Sequence, residues 1–199
     1  LVWGDSSRGM PRSSVQAGSQ TTHAHSRANH AAGMDARAKV LEVAAQTLGG
    51  SPSNYDMDNG RVFRRGGGAS MTFAQVAERA IELGGKYDGH ELPDNIHATT
   101  VPAANILAGQ GLMGVARDNY GGSGGVYSWV AGFALVELDR ETGVVAIKEY
   151  VAVTDCGTVL HPRSLGAQVL GGSVQGMGQA MTQRWVFDPK WGVPFANRL

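Results

Sequence analysis

The stretch that decides the fold is residues 130–183, VAGFALVELDRETGVVAIKEYVAVTDCGTVLHPRSLGAQVLGGSVQGMGQAMTQ. Its first part sets two runs of β-branched and aromatic residues on either side of the turn DRETG, residues 139–143, which predicts an antiparallel hairpin. The chain then turns through His161 and Pro162 into a helix predicted over residues 163–183. With helices upstream, the pattern predicts an α+β fold, a mixed and largely antiparallel sheet with packed helices.

The helix that closes this stretch carries five glycines, at 166, 171, 172, 176 and 178. Each glycine costs up to about 1 kcal/mol relative to alanine inside a helix, so their number predicts compensation by close backbone packing. Gln168, Gln175 and Gln179 are spaced by seven and four residues and therefore share one face. Two interpretations stay open: a tight crossing with another element, or a face that meets a ligand.

Two helices are predicted before the hairpin. An alanine-rich stripe at helical spacing predicts a helix over residues 24–48 that ends at Gly49 and Gly50. A second helix is predicted over residues 71–84, with Thr72 as its N-cap. The other predicted features are a strand end at residues 1–5, a short strand at 61–63 and a flexible glycine-rich connection at 121–125.

These elements divide the chain into two parts. Residues 1–120 hold a small-residue loop, the long helix and the second helix, and residues 121–199 hold the hairpin and the glycine-rich helix. We expect the two parts to be interleaved lobes of one domain rather than independent domains. The chain does not begin with Met and opens on an apolar run that resembles the end of a strand, so we expect the natural N-terminus to lie upstream.

The loop SSVQAGSQTTHAHS, residues 13–26, leads directly into the long helix. Hydroxyl groups and backbone N–H groups converge there at a helix N-terminus, which carries about half a positive charge and several donors without an intrahelical partner. Such an end suits a phosphate. The other interpretation is an ordinary capped helix start, which composition alone does not distinguish.

Composition excludes several classes of partner. The 17 Lys and Arg residues balance the 17 Asp and Glu residues, so no overall charge draws the chain to nucleic acid or to an anionic membrane. No apolar run reaches the roughly 18 residues that a membrane span requires. One cysteine, Cys156, cannot form an internal disulfide or ligate an iron–sulfur cluster, which needs about four.

Three histidines lie close together in sequence, at positions 23, 25 and 30. Zinc would need them to converge, and neither a cysteine nor an acidic residue in the local run completes a tetrahedral set. We therefore assign no metal ligand to this chain.

Two blocks of sequence, residues 4–45 and 136–181, resemble the xanthine dehydrogenase/aldehyde oxidase family, specifically its molybdopterin-binding large subunit. That family has a G-D-[ST] strand end before a small-residue loop and a helix. Later it has D-x-x-T-G, a strand, D-[VC]-G-x-x-[IL]-x-P and G-Q-x-x-G-x-x-x-Q-G-x-G. The resemblance covers roughly half the chain, and the second block is the more specific.

The resemblance implies a set of cofactor-binding residues. The family's loop beside the pterin phosphate and the molybdenum corresponds to Gly18, Ser19, Gln20 and Thr21, and its pterin-holding glutamine corresponds to Gln168. Ser19 and Thr21 would hydrogen-bond near the metal and the phosphate, and Gln168 would orient the pterin. The implied cofactor is molybdopterin, with the cytosine dinucleotide form left open, and iron–sulfur clusters and FAD are expected on partner chains or domains.

The sequence departs from the family at the catalytic base, a glutamate in a G-x-G-E type motif near the C-terminus of the full subunit. None of the seven Glu residues here has that context, so we assign no catalytic residue and expect the chain alone to be inactive. The implied function is the cofactor-binding part of a hydroxylase that oxidises an aldehyde or N-heteroaromatic substrate with oxygen from water. A non-catalytic scaffold or subunit-interaction module of the same fold is the alternative.

The resemblance also implies partners and a compartment. The expected partners are the remaining part of the large subunit, iron–sulfur and flavin subunits, and a small-molecule substrate. We expect a cytoplasmic location, with the periplasm as the other option.

Overall fold

A computed structural model describes residues 15–118 and 127–198, together with Ser7, Met10 and Ser13. The chain divides at Gly121 into two compact units, which are described separately below. Helices and antiparallel sheets occur together, which confirms the predicted α+β class. The predicted strand end at residues 1–5 and the glycine-rich connection at 121–125 lie outside the described residues, and the interleaving of lobes stays a prediction.

The first unit is organised around α1, Ser26–Leu48. The predicted helix is confirmed, but helical backbone begins earlier than its apolar stripe indicates, because a π-helical turn, Thr21–His25, precedes α1 directly. The C-terminal end matches the prediction: Gly49 has a φ of 85°, and its N–H donates to the carbonyl of Ala45. Glycine ends the helix here because it adopts positive φ without strain.

A three-stranded antiparallel sheet follows, in the order β1-β2-β3. Its strands are β1, Tyr55–Asp58; β2, Arg61–Arg64; and β3, Ser70–Thr72. Thr72 then caps α2, Phe73–Leu83, by accepting from the Gln75 N–H, and the Gln75 side chain accepts in return from the Thr72 N–H. The N-cap prediction is therefore confirmed. A third helix, α3, Val101–Leu107, lies in a stretch where no element was predicted.

The core of the first unit lies between the second half of α1, the sheet and α2. Ten buried residues form one cluster, and Tyr55 and Val62 are completely inaccessible: Val40, Leu41, Val43, Ala44, Ala45, Tyr55, Val62, Met71, Val76 and Ala80. The Tyr55 hydroxyl donates to the Gly49 carbonyl at 2.6 Å, which satisfies the polar end of a buried ring. Small alanines on α1 and α2 let the helices approach closely.

The second unit begins with a long antiparallel hairpin formed by β4, Trp129–Leu138, and β5, Val145–Asp155. A register shift falls between Leu135 and Val136. The turn forms as predicted: Asp139 accepts from the N–H groups of Glu141 and Thr142. The hairpin predicted from alternating β-branched and aromatic residues is confirmed.

Helix α4, Pro162–Met181, follows the hairpin, with His161 as its N-cap, and the unit ends with the paired strands β6, Arg184–Phe187, and β7, Pro194–Arg198. None of the described residues in 127–195 is classed as buried. A Cβ placed on four of the five α4 glycines would meet no described atom within 4 Å. The close packing predicted from these glycines is therefore absent from the described part of the chain.

No helix among the described residues is both long enough and apolar enough to cross a membrane.

Candidate functional site

The predicted cofactor loop has an unusual backbone at its centre. Gly18 and Ser19 have φ values of 64° and 53°, in the left-handed region, and Gln20 returns to φ −81°, ψ 0° as the helix begins. Glycine reaches this region freely, whereas a serine there is uncommon. Successive residues that change hand in this way turn their N–H groups toward one side, a geometry that binds anions.

The π-helical turn Thr21–His25 follows this reversal without a break. Its first N–H groups have no acceptor within the helix, and the Gln20 side chain at the N-cap position does not cap them. Single π turns in α-helices are frequent at functional sites. The loop therefore presents backbone donors at the positive end of a 28-residue helical stretch, five π-helical and 23 α-helical residues long.

Side chains around the loop bond to one another. The Thr21 hydroxyl donates to the Gln16 side-chain oxygen, and Gln16 Nε2 lies 2.9 Å from His25 Nε2. Gln20 Nε2 donates to the Val15 carbonyl at 2.5 Å. These bonds hold residues 15–25 as one folded loop. The predicted hydroxyl contacts of Ser19 and Thr21 with a metal or phosphate stay predictions.

A pocket of about 390 Å³ lies one turn further along α1 and is lined by Ser26, Arg27, His30, Ala31 and Asp118. Arg27 forms an ion pair with Asp118, and both side chains are about 30% exposed. Ser26 Oγ donates to the Thr22 carbonyl, which ties the pocket's edge to the π turn. Sequence reasoning missed Arg27 and Asp118, because they are 91 positions apart and Asp118 ends a stretch without periodicity.

Gln168 lies in the second unit, on an exposed part of α4. By helical spacing, Gln168, Gln175 and Gln179 form one face with Gly171 and Gly172, so three amides stand beside backbone that carries no side chain. The opposite face of α4 lines an apolar groove of about 540 Å³ against β5. Because Gln168 and the loop at Gly18–Thr21 belong to different units, the structure describes each site by itself.

The charged groups with shifted pKa values lie outside both sites. The Met57 N–H, with help from Arg65 and Arg37, lowers the pKa of Asp56. The N–H groups of Glu141 and Thr142 likewise lower the pKa of Asp139. A hydrogen bond to Glu42 raises the pKa of Lys86. Each shift accompanies an ion pair or a turn of the fold, so none marks an acid–base group of a reaction.

Among the described residues, no group of three or more His, Cys, Asp or Glu side chains is arranged to hold a metal ion. Cys156 is exposed, next to Gly157 at the end of the hairpin.

The residues present suit a phosphate-bearing pterin in their donor chemistry. The loop offers backbone N–H groups at a helix start, which match phosphate oxygens. A Cβ on Gly18 would meet no described atom within 4 Å. The exposed amides on α4 can both donate and accept, as the heteroatoms of a pterin ring require.

Comparison with known proteins gives a consistent result. The family model described as a molybdopterin cofactor-binding domain matches residues 1–199. The chain is 37% identical over 54 residues to the nicotine 6-hydroxylase large subunit of Paenarthrobacter nicotinovorans, which is 27% of this chain and 7% of that protein. The carbon monoxide dehydrogenase large chain of Hydrogenophaga pseudoflava matches with the same identity and coverage.

A solved structure with a similar fold is that of a Cu,Mo-CO dehydrogenase in its carbon monoxide-reduced state. The TM-score is 0.50 and the sequence identity 24%, over 90% of this chain and 20% of the other. The similarity concerns the fold. The chain thus spans about a fifth of the length of that chain.

Proposed function

This chain belongs to the molybdopterin cofactor-binding domain family, and we propose that it is the cofactor-binding part of a molybdenum-dependent hydroxylase or dehydrogenase. The resemblance to the xanthine dehydrogenase/aldehyde oxidase family drawn from its motifs is confirmed. Relatives are named as a hydroxylase and a carbon monoxide dehydrogenase, both molecules much longer than this chain. The activity of the whole assembly therefore remains part of the proposal.

One observation carries the assignment of the site: the reversal of backbone hand at Gly18 and Ser19 directly before the start of the π turn. A change of backbone hand at a helix start is a geometry that binds anions, and it supports binding of the cofactor's phosphate there. The bonds of Gln16, Gln20 and Thr21 lie within the loop itself and hold it in this shape. Such preorganisation lowers the entropic cost of binding.

In this proposal the cofactor and the chain have different roles. When bound, the cofactor supplies the redox chemistry, and this chain supplies binding and orientation. The loop Gly18–Thr21 holds the phosphate end, with Ser19 and Thr21 beside it, and Gln168 orients the pterin through its amide. The base of the reaction comes from elsewhere in the assembly, because none of the seven Glu residues here lies in a G-x-G-E type motif.

We propose an aldehyde or an N-heteroaromatic as substrate, with water as the source of oxygen. Iron–sulfur and flavin groups on partner chains or domains would carry the electrons away, since this chain has one cysteine and cannot ligate such a cluster alone. The cytoplasm is the proposed location.

Two substitutions test the site in the assembled enzyme: Ser19→Phe, which fills the loop, and Gln168→Ala, which removes the amide. Each is expected to lower the molybdenum measured per chain by elemental analysis, together with the pterin found by extraction and mass spectrometry. Loss of one ordinary hydrogen bond, as in Gln168→Ala, costs about 0.5–1.5 kcal/mol, equivalent to a roughly twofold to tenfold loss of affinity.

Matched controls separate cofactor binding from backbone strain and bulk. Asn59 also has a positive φ, 45°, in the turn between β1 and β2, so Asn59→Phe imposes the same kind of strain far along the chain. Arg163→Ala removes another exposed side chain from α4. Both controls should keep full molybdenum. Full molybdenum and pterin in Ser19→Phe and Gln168→Ala would refute the site.

The scaffold alternative makes the opposite prediction for the unmodified protein. Chain purified with its partners from a host that makes the cofactor would contain no pterin at all. Pterin bound in a stoichiometric amount would exclude the scaffold alternative.

A further inference from the structure

The N-terminal half of α1 connects the cofactor loop to the core without being part of that core. The buried residues of α1 begin at Lys39, and the described residues 21–38 are all half-buried or exposed. At 1.5 Å per residue, the loop's end of α1 stands roughly 20 Å from the first buried turn. Something outside the core must therefore hold this half of the helix in place.

The segment 113–118 lies along this half of the helix. Lys39 Nζ donates to the Met113 carbonyl at 2.9 Å and is paired with Asp35 at 2.7 Å. The same Asp35 carboxylate accepts from the Val115 N–H at 2.8 Å. We call residues 113–118 the brace. Its first half is bound to α1 by the buried ammonium group of Lys39 and the carboxylate of Asp35.

Gly114 sets how closely the brace approaches the helix. A Cβ at this position would lie 2.6 Å from the Ala36 Cβ and would also collide with the Ala32 carbonyl oxygen. Backbone therefore lies directly against backbone, and only glycine permits this separation.

The lengths of the two segments match. The part of α1 between Arg27 and Lys39 is roughly 18 Å long. An extended chain from Met113 to Asp118 is roughly 17 Å long. The brace runs antiparallel to α1 and reaches its first turn, where Asp118 pairs with Arg27. This last contact involves Arg27, six residues after Thr21, and both of its side chains line the pocket described above.

We propose that Asp118 is a positioning residue for the cofactor loop. Through Arg27 it fixes the first turn of α1, and through that turn it fixes the π turn and the geometry of Gly18–Thr21. Ser26 links the two, because its hydroxyl donates to the Thr22 carbonyl. The proposal rests on the proposed function, in which this loop holds the cofactor's phosphate.

The test uses hydrogen–deuterium exchange on the assembled enzyme, with Asp118→Asn, Asp118→Glu and the control Asp94→Asn, an exposed carboxylate in another loop. Asp118→Asn should speed exchange of the amides of residues 22–30 by about threefold to fivefold, as expected for a partly exposed ion pair. The buried amides of residues 40–45 should be unaffected. Glutamate should restore protection, and 1 M salt should bring the wild type close to Asp118→Asn.

Cofactor retention is measured on the same samples, as molybdenum per chain after prolonged dialysis. Faster exchange together with faster loss of molybdenum, both restored by glutamate, supports the proposal. Unchanged exchange overturns it, and so does faster exchange with molybdenum retained as in the wild type.

Ser19→Phe separates failure of this proposal from failure of the proposed function. If Ser19→Phe loses molybdenum while Asp118→Asn retains it, the loop binds the cofactor and only the positioning role is refuted. If neither variant loses molybdenum, both proposals are refuted.

Discussion

Replacing Gly114 with alanine is expected to destabilise the first unit by about 2 kcal/mol. The new methyl group would lie 2.6 Å from the Ala36 Cβ, whereas such carbons prefer about 3.5–4.0 Å, so the brace must move outward by roughly 1 Å. That movement lengthens the bond from Lys39 to the Met113 carbonyl, now 2.9 Å, to roughly 4 Å, beyond hydrogen-bonding distance.

The magnitude follows from three terms. Overpacking costs about 1–3 kcal/mol, and a weakened bond from a charged donor costs up to about 1.5–3 kcal/mol. Against these, an alanine restricts the unfolded chain and returns about 0.4–1 kcal/mol. Because the brace can relax to avoid part of the overpacking, the first two terms do not add fully, and a net loss of about 2 kcal/mol remains.

The assay is urea unfolding followed by far-ultraviolet circular dichroism, since most of the described helix lies in the first unit. With an m-value of about 2 kcal/mol per molar, the midpoint should fall by about 1 M. Gly33→Ala is the matched control. Gly33 lies on α1 itself and a Cβ there meets no described atom within 4 Å, so alanine should raise stability by up to about 1 kcal/mol. A Gly114→Ala variant as stable as the wild type would refute the close approach of the brace.

Two further predictions concern the fold. Thr72→Ala should lower the free energy of unfolding by about 1 kcal/mol through loss of the cap on α2, whereas Thr72→Ser should be nearly neutral; a thermal melt of the two variants checks this. The pKa of Asp56 is lowered because its carboxylate accepts a hydrogen bond from the Met57 N–H and lies near Arg65 and Arg37. Its contribution to stability is therefore fully present above the unfolded-state pKa and is lost as the pH falls through the lower folded-state pKa. Urea midpoints measured between pH 7 and pH 3 should show this loss in the wild type and a smaller one in Asp56→Asn, and identical profiles would contradict it.

Local sequence patterns predicted the elements whose residues interact with near neighbours. The alanine stripe of α1, the cap at Thr72 and the turn at Asp139 each depend on residues within about four positions of one another. Short-range geometry fixes their form, and so the structure confirms them. The short elements β3 and α3 escaped prediction because three to seven residues contain too few repeats for a period to be recognised.

The π turn before α1 also escaped prediction. Its residues, Thr21–His25, carry no apolar stripe, and the helical backbone there is continued from α1 rather than specified by its own side chains. The sequence therefore placed the loop's residues correctly at a helix start but put that start a few residues too late.

The sequence by itself determined the class of fold, the family motifs and the positions that form the candidate site, because these depend on residue types at short, fixed spacing. Only the tertiary structure decided what holds the site in place. The path of the intervening chain around the core brings together two pairs of residues, Arg27 with Asp118 and Lys39 with Met113. No local periodicity or residue spacing in the sequence predicts that path. A contact between segments 74 or more residues apart depends on the packing of the whole unit.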